Sequence, residues 1–457
     1  MTGAPRLRTV DVDVQSPAPP VLPAVERRAR IPAGFRAGGH SAGIKTSGRP
    51  DLALIVTSDG PAAAAAVFTP NAFAAAPVRR SRAVLAASGG WAGAVVSTSG
   101  SANAATGAAG DEDQARVGEL VGAELGIGGN AVLHLSTGII GTRLPLEKVA
   151  AGLAALVPML AETDEGLEAA AVALRTTDST TKVASVAVPL EDATGAVRAV
   201  RVTGIAKGVG MIHPNMATML SVILTDASAS PDVLRSILRP VAARTWNQLS
   251  VDGDTSTNDT VFLLASGAIP EAVVTAGSSS AAALADGVEA VARDLARQQA
   301  ADGEGATCLL TCQVTGAADD ADARAVARAI ISSSLVKAAA HGKDPNWGRI
   351  AGAAGNARVA DAAVLEAAGM STEVARARAG TIAVVDPDRL RIAIAGHLVF
   401  DGRSGGPQAF DRASARADLD APEIVIRLDL DLGAGYGEAF GCDLTEAYVR
   451  ENSEYTT

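Results

Sequence analysis

The groups best suited to covalent chemistry meet at one corner of the chain, Lys207-Gly208-Val209-Gly210-Met211-Ile212-His213-Pro214-Asn215-Met216-Ala217-Thr218-Met219-Leu220-Ser221. Two glycines give the turn its freedom, Pro214 fixes a corner, and the hydroxyl of Thr218 stands directly before a mostly apolar run, 219–224. If that hydroxyl attacks the carbonyl of Ala217 and the ester is hydrolysed, the chain is cut and Thr218 becomes an N-terminus. Its side chain is then a nucleophile with the freed α-amine beside it as base. An α-amine titrates at about 7.7–8.0, near the operating pH, where a general base is most effective. Read locally, the same string also suits a glycine-rich turn leading into a buried strand.

Three other strings gather small polar groups. Ser136-Thr137-Gly138-Ile139-Ile140-Gly141 follows a strand-like run, so its backbone N–H groups and the Thr137 hydroxyl can converge on an oxyanion. Arg175-Thr176-Thr177-Asp178 ends a helical run, and Val251-Asp252-Gly253-Asp254-Thr255-Ser256-Thr257-Asn258-Asp259-Thr260 is dense in carboxylates and hydroxyls. Taken singly, such strings also serve as turns or caps. Asp252 and Asp254 suggest a calcium loop but lack its later glutamate and full spacing. Neither Cys308, Cys312 and Cys442 nor the five histidines have zinc spacing, so no metal site is expected. The cysteines suit small buried positions. Gly433-Ala434-Gly435-Tyr436-Gly437 has dinucleotide-like spacing, but no helix follows and it reads as a turn.

These groups need a frame to hold them. Residues 52–57, 93–97 and 131–135 read as strands, and 111–125, 146–160 and 165–174 as helices. Residues 183–188 and 197–205 read as a hairpin delivering the chain to Lys207, and 219–224 as the strand leaving Thr218. Ser230-Pro231 opens a helix. Further strands are expected at 261–264, 308–314, 381–385, 391–394 and 424–430, and further helices at 281–299, 319–332 and 357–380. The elements alternate in blocks without a fixed period, which points to a layered α/β or α+β sandwich. With 457 residues, 48% hydrophobic and 3% aromatic, the chain fills its core with Ala, Val and Leu. Residues 1–30, with Pro17, Pro19, Pro20 and Pro23 among charges, read as a disordered tail. A net charge of −11 without any Lys/Arg-rich block argues against nucleic acid as a partner. No apolar run of about 18 residues and no signal-type N-terminus is seen, so a cytoplasmic protein with no membrane partner is expected.

Taken in order, several strings resemble one family. Gly34-Phe35-Arg36-Ala37, Ser47-Gly48-Arg49-Pro50-Asp51-Leu52-Ala53-Leu54, Ser136-Thr137-Gly138, Thr176-Thr177-Asp178, Lys207 through Leu220, Asp252 through Thr260, Asp344-Pro345-Asn346-Trp347-Gly348-Arg349 and the terminal Tyr448…Glu451-Asn452-Ser453…Tyr455 are similar to the glutamate N-acetyltransferases, also called ornithine acetyltransferases. The resemblance implies an αββα-type sandwich, shared with aminopeptidases, with a smaller C-terminal lobe. It implies scission at Ala217–Thr218 into an α chain (31–217) and a β chain (218–457), two of each forming a heterotetramer. Thr218 would be acetylated by N2-acetylornithine, releasing ornithine, and deacylated by glutamate in a ping-pong cycle of arginine biosynthesis. Thr137 and Gly138 match the oxyanion pair, and Thr176, Lys207, Thr218, Glu304, Asn452 and Thr457 the substrate-binding positions. No metal or cofactor is implied, with acetyl-CoA as an alternative donor. The residue types fit: Lys207 can meet an α-carboxylate, and Glu304 an ammonium. The chain departs from the family pattern at Thr98-Ser99-Gly100-Ser101-Ala102-Asn103-Ala104-Ala105-Thr106-Gly107, at His213 where a small residue is usual, and in the additional 357–380 stretch and tail. These changes bear on substrate choice, with His213 the first residue to suspect of reshaping the pocket. The alternatives are a related acyltransferase of specialised metabolism, or an amidohydrolase or aminopeptidase on the same fold.

Overall fold

The computed structural model describes residues 20–192, 194–213 and 219–453. The chain divides into two compact units, the larger mainly residues 22–304 and the smaller mainly residues 305–449. The strands of the larger unit are β1 (Phe35–His40), β2 (Leu52–Thr57), β3 (Ala62–Phe68), β4 (Trp91–Ala92), β5 (Ala94–Ser101), β6 (Val132–Ile139), β7 (Lys182–Glu191), β8 (Val197–Lys207), β9 (Leu220–Ala229), β10 (Leu249–Ser250) and β11 (Thr260–Val274). One sheet has the order β1-β2-β5-β6, another β4-β3-β11-β9-β8-β7.

Strand β2 shows how the sequence builds these layers. Leu52, Leu54 and Val56 share a core cluster with Val117 and Val121 of the helix Gly107–Leu125 and with Val149 and Leu153 of the helix Leu146–Leu156. Ala53 and Ile55, on the opposite face, join Leu220, Val222 and Leu224 of β9 and Phe262 and Leu264 of β11. A one-residue slip would exchange the two buried faces and the partners each is packed against, and each buried Leu or Val is worth about 1.5–3 kcal/mol, so the register is strongly set. The outer face of the second sheet carries the helices Pro231–Arg244, against β3, and Ser279–Ala301, against β7 and β8. Helix, sheet, sheet and helix follow in that order, as expected for an αββα sandwich.

Some elements depart from the sequence reading. The Ala62–Phe68 run, alanine-rich and without alternation, becomes a strand because pairing with β11 outweighs alanine's helical preference. The helix Ala76–Ser88 was not expected either. The segment assigned to a tail up to residue 30 is engaged from Glu26 onward. Glu26 exchanges two 2.8 Å backbone hydrogen bonds with Ser185, and Arg27 pairs with Asp294 at 2.9 Å.

The smaller unit contains β12 (Leu309–Ala317), β13 (Arg391–Ile394), β14 (His397–Asp401), β15 (Gly406–Pro407), β16 (Glu423–Asp429) and β17 (Gly435–Cys442), neighbouring in the order β17-β12-β16-β13-β14-β15. The helix Asp320–Ser332, capped by Asp319, packs on β12 and β17. Residues 357–380 form two short helices, Ala362–Ala367 and Thr372–Arg378, with Ser371 capping the second. Residues 381–385 make only an isolated bridge, Ile382 to Arg358, and Ile382 and Val384 are exposed; Pro387 follows two residues on. The three cysteines are free and buried. No helix among the described residues is long and apolar enough to cross a membrane.

Candidate active site

Strand ends assemble the site. Pairing sets Lys207 at the end of β8 opposite Leu220, Leu220 opposite Thr260 at the start of β11, and Gly100 of β5 opposite Gly138 of β6. Asn258 ties the start of β11 to the other sheet, its Nδ2 donating to the carbonyls of Ala102 at 2.7 Å and Ser136 at 2.8 Å. Around these ends lies a cavity of about 380 Å³, a size suited to one small ligand.

Thr137, Gly138, Thr176, Lys207, Glu304 and Asn452, all selected from the sequence, line this cavity. Ala217, Thr218 and Thr457 lie outside the described residues. Gly138 has φ +128°, and an added Cβ would stand 2.4 Å from the carbonyl carbon of Gly100, so the position requires glycine. Lys207 Nζ donates to Thr137 Oγ1 at 3.1 Å. An ammonium has no acceptor to offer, so the hydroxyl accepts and its own proton remains to be donated elsewhere.

The Glu304 carboxylate accepts from Thr177 Oγ1 at 3.1 Å and Asn452 Nδ2 at 3.0 Å, and its backbone N–H donates to the Val209 carbonyl at 2.8 Å. A Cβ on Gly210 would come within 2.2 Å of Glu304 Oε2, so this glycine is what lets the carboxylate approach the corner.

Burial lowers the Lys207 pKa from its ordinary value; Asp178, Glu304 and Asp259 oppose that shift and Lys182 adds to it. Asp178 shows the reverse balance. Burial favours its neutral form, but Lys207, Lys182 and the Gly208 N–H outweigh burial and hold it well below the usual carboxylate range. Asp259, which also lines the cavity, is 2% exposed, and among the described residues neither carboxylate oxygen has a hydrogen-bond partner. Burial pushes its pKa well above the usual value, against weaker pulls from the Met219 N–H, Lys207 and Ser256.

The cavity has features that sequence reasoning did not pick out. Ile139, Ile140 and Met211 form a partly exposed apolar wall. Asp259 belonged to a recognised acidic and hydroxyl-rich string, but nothing in that string separates it from Asp252, which accepts from the N–H of Ile212 at 2.9 Å and serves the turn. His213, suspected of reshaping the pocket, is not among the lining residues; its Nδ1 lies 3.0 Å from Ser250 Oγ. Among the described residues no group of three or more His, Cys, Asp or Glu is arranged to hold a metal ion.

A model described as the ArgJ family matches residues 36–457. The chain belongs to the ArgJ family. Relatives named arginine biosynthesis bifunctional protein ArgJ include one from Thermus thermophilus, 47% identical, the alignment covering 94% of this chain and 99% of the relative. Another, from Synechocystis, is 42% identical over 95% of this chain and 98% of its own length. Among solved structures, an ArgJ protein from Bacillus halodurans is 37% identical with a TM-score of 0.45, covering 52% of this chain and 99% of that one. An ornithine acetyltransferase from Mycobacterium tuberculosis, complexed with ornithine, is 39% identical with a TM-score of 0.37, covering 42% of this chain and 97% of that one. The matched ArgJ region contains every cavity-lining residue named above.

Proposed function

We propose that the chain is an acetyltransferase of arginine biosynthesis, moving acetyl from N2-acetylornithine to glutamate through acetyl-Thr218 after self-cleavage at Ala217–Thr218. The observation that carries this reading is the convergence of Thr137, Gly138, Thr176, Lys207, Glu304 and Asn452 on one cavity in a chain of the ArgJ family. In the first half-reaction the Thr218 hydroxyl attacks the acetyl carbonyl. The Thr218 α-amine takes the hydroxyl proton and passes it to the departing ornithine nitrogen. Thr137 Oγ1 and the Gly138 N–H stabilise the tetrahedral oxyanion. In the second, the glutamate α-amine attacks the ester, N-acetylglutamate leaves, and the proton returns to Thr218. Lys207 meets the α-carboxylate of either substrate, and Glu304 the ornithine side-chain ammonium.

The scheme needs no cofactor. Acetyl-CoA would enter as a second acetyl donor to the same threonine, a dual use that fits the word bifunctional in the relatives' name. Residues 31–217 and 218–457 are then the α and β chains of a cytoplasmic heterotetramer. Purified protein incubated with N-acetylornithine should release ornithine only when glutamate is added. Release without glutamate points to an amidohydrolase, and no release under either condition removes the proposal in favour of another acyl substrate. Thiol release from acetyl-CoA with glutamate tests the second donor.

A further inference from the structure

The corner that carries Lys207 is held by a carboxylate to which the acyl-transfer scheme gives no part. Asp178 is 2% exposed, and its Oδ1 accepts from the Gly208 N–H at 2.8 Å and from Lys182 Nζ at 2.7 Å. Its Oδ2 accepts from the Thr176 N–H at 3.1 Å. Lys182, with a fully buried side chain, reaches on to Asp302 at 2.5 Å, two residues before Glu304. Asp302 in turn accepts from the N–H groups of Ser179 at 3.1 Å and Thr180 at 3.3 Å. Asp178 and this short relay therefore connect the three segments that bear Thr176, Lys207 and Glu304.

Among the described residues Lys207 itself donates to a neutral hydroxyl, that of Thr137, and the carboxylates nearby act on it through space. The titratable groups facing it are Asp178 before β7, Lys182 at the start of β7, Glu304 beyond the helix Ser279–Ala301, Asp259 before β11, and Lys45 between β1 and β2. Of these, Asp178 is the strongest influence favouring the ammonium and Lys182 the strongest against it.

We propose that Asp178 is a positioning residue of the acyl-transfer site: it fixes the Lys207 corner by hydrogen bonds and supplies that lysine's buried counter-charge, so that a substrate carboxylate meets an ammonium. The inference rests on Lys207 being the carboxylate-binding group. Its signature is a pair of opposite signs. Asp178→Asn keeps the shape but removes a negative charge, so Lys207 loses its proton at lower pH. Lys182→Met removes a like charge, so Lys207 keeps its proton to higher pH.

The test is the pH profile of kcat/KM for N-acetylornithine and for glutamate, on variants checked for folding. In Asp178→Asn the alkaline limb should move down by about one pH unit or more, with roughly a tenfold loss above it carried by KM. In Lys182→Met it should move up, and Asp178→Glu, which keeps the charge, should recover most of the loss. An unmoved limb with a loss confined to kcat, or shifts of the same sign in both variants, overturns the proposal. Titration of the wild-type protein labelled with [13Cε]lysine, the Lys207 resonance assigned by Lys207→Met, reads the ammonium without any turnover. Lys207 should be charged at pH 7, and a neutral Lys207 there overturns the proposal even if the variants do not fold. Wild-type protein inactive on both substrates would instead remove the functional reading, leaving the titration to decide the role of Asp178.

Discussion

The 3.1 Å bond from Lys207 to Thr137 joins two tasks that the proposed function gives to separate residues, carboxylate binding and oxyanion stabilisation. A hydroxyl that accepts from an ammonium becomes a stronger donor in its turn. Thr137→Val keeps the shape and removes that donor, so turnover should fall on the order of 100-fold or more, roughly 3 kcal/mol. Wild-type turnover by the correctly processed variant would make Thr137 a structural residue. The charged pair should fail differently. Lys207→Met should weaken both half-reactions, since both substrates carry an α-carboxylate. Glu304→Gln should weaken only the use of N-acetylornithine, because glutamate presents a carboxylate where ornithine presents an ammonium. Each lost charge-assisted contact is worth about 1.5–3 kcal/mol, or about ten- to over a hundredfold in kcat/KM. Steady-state kinetics with each substrate varied in turn decides the matter, and equal losses for both in Glu304→Gln would contradict the assignment.

At the scale of elements, what could be read in advance was whatever local pattern dictates. The short apolar run Leu52–Thr57, the helical spacing of Val117 and Val121, and the cap Ser230 before Pro231 all specify their own structure. What could not be read depends on partners distant in sequence: the alanine-rich β3 is a strand only beside β11, and residues 381–385 have the composition of a strand but pair with residues 357–359 through a single bridge only. The same limit applies at the site. Thr137 and Lys207 stood out by type, whereas the buried carboxyl of Asp259 is defined by what surrounds the start of β11. That carboxyl has a raised pKa in the fold, so the fold favours its protonated form. The associated stability is present at low pH and is lost as pH rises from the unfolded value, about 3.9, through the raised one. Asp259→Asn does not ionise. Its melting temperature relative to wild type should therefore climb as pH rises from 4 towards 8, and a difference independent of pH would show that the folded carboxyl is not held protonated.

At the scale of the whole molecule, the sheet order bears on what scission at Ala217–Thr218 can do. In β4-β3-β11-β9-β8-β7, strands β3, β4, β7 and β8 come before residue 217, and β9 and β11 after it. Strand β9 pairs antiparallel with β8 from Leu220 opposite Lys207, and β11 pairs antiparallel with β3 from Thr260 opposite Phe68. The second segment's two strands therefore lie in the middle of a sheet whose flanks belong to the first, joined along two seams. Inner-face residues of both segments, such as Ala64, Ile205, Leu224 and Phe262, share one buried core. Cutting the Ala217–Thr218 bond removes none of these strand pairings, so the fragments should stay together at equal ratio through native size exclusion. Under denaturing conditions they should separate into 217 residues and 457 − 217 = 240 residues, the larger beginning at Thr218. Thr218→Ala lacks the attacking hydroxyl and should remain one chain in both measurements, with an unchanged native elution volume. Cleavage of that variant at the same bond would assign scission to an outside protease. Dissociation of the wild-type fragments without denaturant would show that the two seams do not hold them. Neither segment expressed alone should form this sheet, because residues 1–217 lack its centre and residues 218–457 lack its flanks, whereas co-expression should restore the paired form.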